Sequence, residues 1–315
     1  MTTRTTDEPV AGFPNLTIRT TERFDDDVKK RTAVNYDFDI RSRETGALLV
    51  LIRKELVLRN KQTRLQITRS RFESLNVPPN SSAVLHITIP IDPGSEELTS
   101  SGGGTRTAAF YDPQARIKPD TQLYLFPFPL NVDVKCTQSF QTLPDHGSQN
   151  TTHTGDDKFA VDFLEPASFG NRGMEVFAAR DGIVVAAEDG DVDHPLGYDP
   201  QPADKERGNM VKVIHNDGTY TKYGHIRQRS LRVRVRDVVR AGQTVLALSG
   251  NSGYSRNSHL HFAVEKIKPV SQQEILNHFT SQRNLTFTYE TLPFKFDGGG
   301  RGIEPHQEVV YKRTR

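Results

Sequence analysis

Apolar residues recur at every second position through much of this chain, and that period decides its fold class. Val34, Tyr36, Phe38 and Ile40 alternate with Asn35, Asp37 and Asp39; Leu85, Ile87, Ile89 and Ile91 alternate with His86, Thr88 and Pro90. Successive side chains of a strand point to opposite faces, so each run has one apolar and one polar face. Breakers at Pro78-Pro79-Asn80 and Pro93-Gly94-Ser95 bound such runs. Leu48 to Leu58 and Leu65 to Thr68 supply further strands, and several short strands with turn signals predict a sandwich. Helical spacing is confined to Gln272 to Phe279, which fits a short surface helix. The chain is expected to be mainly β.

A length of 315 residues exceeds one ordinary domain. Residues 1–118 are expected to form an all-β accessory domain and residues 119–270 a second β domain. Residues 271–315 are expected to add a C-terminal extension with a short helix and strands. Ser100 to Gly104 reads as a linker or a long hairpin loop, with Thr107 to Tyr111 as a possible last strand of the first module. Strands of the second domain are expected at Val176–Ala179, Gly182–Ala187, Met210–His215, Thr219–Tyr223, Thr244–Ser249 and His259–Val264. In the tail, Leu285–Tyr289 and Leu292–Phe296 read as strands, followed by the Gly298-Gly299-Gly300 turn.

A net charge of +2 gives no field that would favour nucleic acid, so no nucleic-acid partner is expected. The strongest apolar run, Ala47 to Ile52, is too short to span a bilayer, and Met1 to Arg31 is polar with no apolar signal region. Localisation and oligomeric state are therefore left open. Cys136 is the only cysteine, which excludes an internal disulfide and any thiolate-rich zinc site. It is expected to be a small buried hydrophobe.

The chemistry concentrates at Ser258-His259-Leu260-His261-Phe262, where two imidazoles share one strand face. That arrangement suits one metal ligand with a partner imidazole beside it. Asp162 lies in Phe159-Ala160-Val161-Asp162-Phe163, on the face opposite Phe159, Val161 and Phe163. A carboxylate in an apolar strand is costly unless paired or metal-bound. A zinc hydrolase needs three protein ligands and an open position for water. His153, Asp162 and His261 fit that set, with His225 at the end of Tyr223-Gly224. Asp156 and Asp157 are rival ligands, but Gly155-Asp-Asp-Lys reads as a solvated turn. No His-Glu-X-X-His helix and no Gly-X-Ser-X-Gly elbow occurs.

From His153 to Val264 the chain resembles the lysostaphin-type (LytM-like) zinc endopeptidases that cut peptidoglycan. The resemblance runs through Phe159-Ala-Val-Asp162-Phe, Glu175-Val-Phe-Ala-Ala-Arg-Asp-Gly182 and Gly208-Asn-Met-Val-Lys-Val-Ile-His215. It continues through Tyr220-Thr-Lys-Tyr-Gly-His225, Val239-Arg-Ala-Gly242-Gln-Thr-Val and Ser249-Gly-Asn-Ser-Gly253 to His259-Leu-His261-Phe. It implies an antiparallel β-sheet catalytic domain with Gly-rich hairpins and little helix, preceded by the β-sandwich-like accessory domain. It also implies one Zn2+ per chain held by His153, Asp162 and His261. His225 and His259 take the non-ligand catalytic roles, and zinc-bound water attacks stem or cross-bridge peptides of peptidoglycan. The implied site of action is the bacterial cell wall or periplasm. The alternative is a non-catalytic wall-binding or regulatory protein with a closed, structural zinc site.

Two departures from the resemblance stand out. The interval from His153 to Asp162 is longer than the His-X-X-X-Asp of the best-known members, and Asp189 to Arg207 is longer than the usual hairpin. The latter segment reads either as a cleft wall or as an inert surface excursion, with His194 exposed. Arg232, Arg234 and Arg236 read as the solvated face of a strand, or as a face attracting anionic wall polymers or stem-peptide carboxylates. His146, His215, His278 and His306 read as structural, and Tyr223 and Tyr254 as packing residues or cleft lining.

Overall fold

The computed structural model describes residues 2–10, 13, 15–24, 32–44, 46–60, 62–92, 95–97, 104–111, 122–140, 152–170, 172–268 and 288–314. These residues are almost all strand and turn. Helical geometry among them is limited to three 3-10 turns, at Gly155–Asp157, Ala167–Phe169 and Pro202–Glu206. Two compact units result, one within Met1–Ala115 and one within Arg116–Lys268 and Phe287–Arg315. The expected helix at Gln272 to Phe279, together with His146 and His278, lies outside the described residues.

The described residues of the first unit form two antiparallel sheets. One runs in the order Thr2–Pro9, Leu16–Phe24, Ala33–Ser42, Ser82–Pro90. Its buried face carries Leu16, Ile18, Val34, Tyr36, Phe38, Ile40, Ile87 and Ile89, the residues that alternation selects. The second sheet is built on Leu48–Asn60, flanked by Gln66–Val77 on one side and by Ser95–Glu97 and Thr105–Tyr111 on the other. The Thr105–Tyr111 strand pairs with Leu48–Lys54, so it belongs to this unit. The first two strands were not expected. Their buried positions include a threonine (Thr20), which blurs the apolar alternation.

The main sheet of the second unit has strands in the order Val238–Val239, Gly182–Glu188, Met210–Ile214, Tyr220–Gly224, His259–Ile267, Val161–Leu164, Asp133–Gln138 and Val310–Lys312. Tyr289–Thr291 also pairs with the His259–Ile267 strand, at its far end. Beneath one face lies an aromatic core. Phe126 stacks on Phe296 with centroids 4.4 Å apart, and Phe262 meets Phe294 and Phe296 at 5.3 and 5.5 Å. Phe294, Phe296 and Tyr311 come from the tail, so residues beyond 287 complete this core rather than extend it.

One expectation fails here. Leu231 to Arg236 do not form a strand: Val233 is buried but Val235 is exposed, and Arg236 takes a left-handed φ of 82° where the chain turns. Arg232 is paired with Glu175 at 2.8 Å.

Candidate metal centre

The central strand is half core and half site. Leu260, Phe262 and Val264 enter the aromatic core, so His259 and His261 project from the opposite face. The neighbouring strand repeats the division, with Val161 and Phe163 in the core and Asp162 on the site face. Antiparallel register sets Asp162 directly across from His261. On the other side, Gly224 lies across from His261. A Cβ on Gly224 would come within 3.3 Å of the His261 ring, so the glycine makes room for that imidazole.

Asp162 Oδ1 lies 3.2 Å from both His153 Nε2 and His261 Nδ1. One ligand atom from each of His153, Asp162 and His261 falls within 4.8 Å of the others, and all three residues are buried. Donors about 2.0–2.1 Å from a tetrahedral zinc are separated by about 3.3 Å. The donor set and its spacing therefore fit a zinc ion.

Each imidazole is oriented by its other nitrogen. His153 Nδ1 donates to Ala160 O at 3.1 Å, His225 Nδ1 to Ser252 O at 2.7 Å, and His259 Nδ1 to Asn257 O at 2.8 Å. A carbonyl only accepts, so all three carry the proton on Nδ1 when neutral and keep Nε2 for the site. His261 is reversed. Its Nδ1 faces Asp162, and its buried Nε2 points towards Asp157 Oδ1 at 3.6 Å, beyond hydrogen-bonding reach but close enough for strong Coulombic attraction.

His225 ends its strand in the left-handed region, with φ of 56°. A non-glycine residue there costs of order 1 kcal/mol or more, and such strain gathers at functional sites. Its ring lies 4.6 Å from that of His259 and 5.7 Å from that of His261. His259 Nε2 is 3.6 Å from Asp162 Oδ2.

The environments drive the imidazoles of His225 and His259 apart. Burial, reinforced by the neighbouring His259 and His261, holds His225 well below its ordinary pKa. Burial works against the charged form of His259 too, but the Asp162 carboxylate outweighs it and raises the pKa. For His261, burial is opposed by Asp157 and by the Asp162 contact, with a net rise to about 9. Burial would raise the Asp162 carboxyl, yet His153 and His259 keep it well below the usual carboxylate range.

Sequence reasoning missed the supports of this cluster. Asp157 is not a freely solvated turn residue, because its carboxylate faces His261. Gln138 donates to Asp162 Oδ2 at 2.8 Å. Ser255 Oγ bridges His259 Nδ1, at 3.1 Å, and Asn251 Oδ1, at 2.6 Å. The long segment Asp189–Arg207 is tied to this network. Asp193 accepts from the backbone N–H groups of Gln228 and Asn251, and Asn251 donates to His194 O and Pro195 O. His194 is stacked on Tyr198 at 3.9 Å rather than exposed. Tyr223 packs in the core and Cys136 is fully buried.

Residues 169–275 match Peptidase family M23. His225, His259 and His261 fall inside that span, and His153 and Asp162 precede it. The chain is 40% identical over 112 residues to lysostaphin of Staphylococcus simulans, a match covering 34% of this chain and 20% of that protein. It is 32% identical over 108 residues to glycyl-glycine endopeptidase ALE-1 of Staphylococcus capitis, covering 34% and 24%. An uncharacterized metalloprotease of Buchnera aphidicola is 28% identical over 122 residues, covering 39% and 25%. The matches thus span a quarter or less of each of these relatives. Among solved structures, lysostaphin aligns over 56% of this chain and 57% of its own, with 22% identity and a TM-score of 0.30. The catalytic domain of the prophage-encoded M23 protein EnpA from Enterococcus faecalis aligns over 44% and 85%, with 22% identity and a TM-score of 0.29. Residues 169–275 are thus similar to Peptidase family M23, and the relatives that this chain resembles include lysostaphin and glycyl-glycine endopeptidase ALE-1.

Proposed function

We propose that this protein is a zinc metalloendopeptidase that hydrolyses stem or cross-bridge peptides of peptidoglycan. The observation that carries the reading is the convergence of His153 Nε2, Asp162 Oδ1 and His261 Nδ1. Two imidazoles and one carboxylate would hold one Zn2+ per chain with a net charge near +1 and a fourth position for water. A bound zinc supplies Lewis acidity and lowers the pKa of its water towards ~7.

The chain's own residues divide the proton work. His225, kept neutral by burial and with its Nδ1 proton committed to Ser252 O, offers Nε2 as the base that takes a proton from the attacking water. His259, whose protonated form Asp162 favours, offers an N–H to the oxygen on which charge develops. Peptide-bond hydrolysis follows the name of one relative, glycyl-glycine endopeptidase ALE-1, and the peptidoglycan substrate follows from the resemblance of His153 to Val264 to the lysostaphin-type endopeptidases. The cell wall or periplasm is the site of action that such a substrate requires, and no helix among the described residues is long and apolar enough to cross a membrane.

The test separates ligands from proton carriers. Zinc per chain, measured after dialysis, is expected to be near one for wild type and His225→Ala, and near zero for His261→Ala. Turnover is expected to fall at least about 100-fold in His225→Ala, the scale of a lost general base. Wild-type turnover in His225→Ala would remove its assigned role.

A further inference from the structure

Gln138, which donates to Asp162, takes no part in the chemistry proposed above. On the strand Asp133–Gln138, Cys136 lies opposite Phe163, and both enter the aromatic core. Unbroken pairing would then set Thr137 opposite Asp162 on the site face. Instead the register slips between Cys136 and Gln138, and Gln138 is the residue opposite Asp162. Bulges next to functional sites re-aim a side chain in this way.

Both ends of the carboxamide are used. Nε2 donates to Asp162 Oδ2 at 2.8 Å. Oε1 accepts from the Thr152 backbone N–H at 2.8 Å and from the Thr152 hydroxyl at 3.1 Å. A neutral amide can donate to a carboxylate while accepting from an N–H, which neither Glu nor Leu of similar size can do. The contact also divides the labour of Asp162. Oδ2 is occupied by Gln138, and Oδ1 is the oxygen that faces His153 and His261.

We infer that Gln138 is a positioning residue of the metal centre: it holds Asp162 so that only Oδ1 is presented, and it fixes the backbone immediately before His153. The inference rests on the reading of His153, Asp162 and His261 as metal ligands. Outer partners of metal ligands are worth 10–100-fold in affinity. Without this contact, Oδ2 would be free to act as a second donor beside Oδ1.

The experiment uses the full chain as wild type, Gln138→Leu, Gln138→Glu and His261→Ala. Three quantities are read: the zinc dissociation constant by chelator competition, the visible spectrum of the cobalt(II)-loaded protein, and the thermal midpoint of the metal-free protein. Cobalt(II) bands report ligand geometry directly. The expected result is about 10–100-fold weaker zinc binding in both Gln138 variants, with cobalt bands of lower intensity and an almost unchanged metal-free midpoint. Wild-type zinc affinity and wild-type cobalt bands in both variants would overturn the inference. So would a fall in the metal-free midpoint with an unaltered cobalt spectrum, since that marks a purely structural role. If Gln138→Leu does not fold, the isosteric Gln138→Glu decides alone. Wild type that binds no more zinc than His261→Ala would defeat the metal-site reading itself, a result distinct from failure of the Gln138 variants.

Discussion

At the scale of residues, the site depends on which nitrogen each histidine presents, and sequence says nothing about that. Period two places His259 and His261 on one face and Asp162 on the matching face of its neighbour. What remained hidden is the set of backbone carbonyls, Ala160 O, Ser252 O and Asn257 O, that orient the imidazoles. Those acceptors come from loops whose course no local pattern fixes. Asp157 was misread for a related reason: a Gly-Asp-Asp turn reads as solvated until the fold lays it against His261. Gly224 is a residue whose role is purely spatial. In Gly224→Ala the new methyl meets the His261 Cβ and Cδ2 at 3.3 Å, and the strand pairing leaves that ring little room to yield. If His261 is a ligand as proposed, the expected outcome is a folded protein with about tenfold weaker zinc binding, the lower end of what losing a support of a metal ligand costs. Chelator competition beside a near-ultraviolet dichroism spectrum would check it.

At the scale of elements, the strands of the second unit were largely legible, because the core-facing Leu260, Phe262, Val264, Val161 and Phe163 alternate without interruption. The slip between Cys136 and Gln138 was not, since a bulge leaves the composition of a strand unchanged. The Arg232 to Arg236 alternation misled for the opposite reason: it has the right period, but Arg236 turns the chain and only Val233 is buried. His215 supplies a test of how the elements are joined. It lies just beyond the strand Met210–Ile214, with Nδ1 at 2.8 Å from Asp181 O and Nε2 at 3.1 Å from Thr221 Oγ1. Burial, helped by the nearby Arg180 cation, lowers its pKa from 6.5 to about 4. Below pH 6.5 the unfolded chain therefore binds this proton before the folded one does. Stability is undiminished above pH 6.5 and falls between pH 6.5 and 4, by roughly 3 kcal/mol in all. Denaturant unfolding across that range should show the loss, and a His215→Gln variant should lose this part of the dependence.

At the scale of the whole molecule, two β units share the chain, and His153, Asp162 and His261 all belong to the second. The tail is an integral part of that unit. Phe294 and Phe296 are fully buried, and Val310–Lys312 closes one edge of the main sheet against Asp133–Lys135. Removing one buried aromatic side chain costs about 3–5 kcal/mol, and a domain is stable by only about 5–15 kcal/mol. A chain ending after Lys268 is therefore expected to lose the fold of the second unit, seen as rapid proteolysis of residues 122–268. A truncated protein that resists protease and binds zinc would show that the tail is dispensable.

The most direct test of the central claim is digestion of two purified walls, one glycine-bridged and one directly cross-linked, with mass spectrometry of the released fragments. Zinc-loaded wild type would be compared with His261→Ala. New peptide termini are expected from at least one wall, appearing with wild type and absent with His261→Ala, and their masses would identify the bond. If zinc-loaded wild type released no new termini from either wall, or if His261→Ala released the same ones, the assignment of this site as a peptidoglycan endopeptidase would be contradicted.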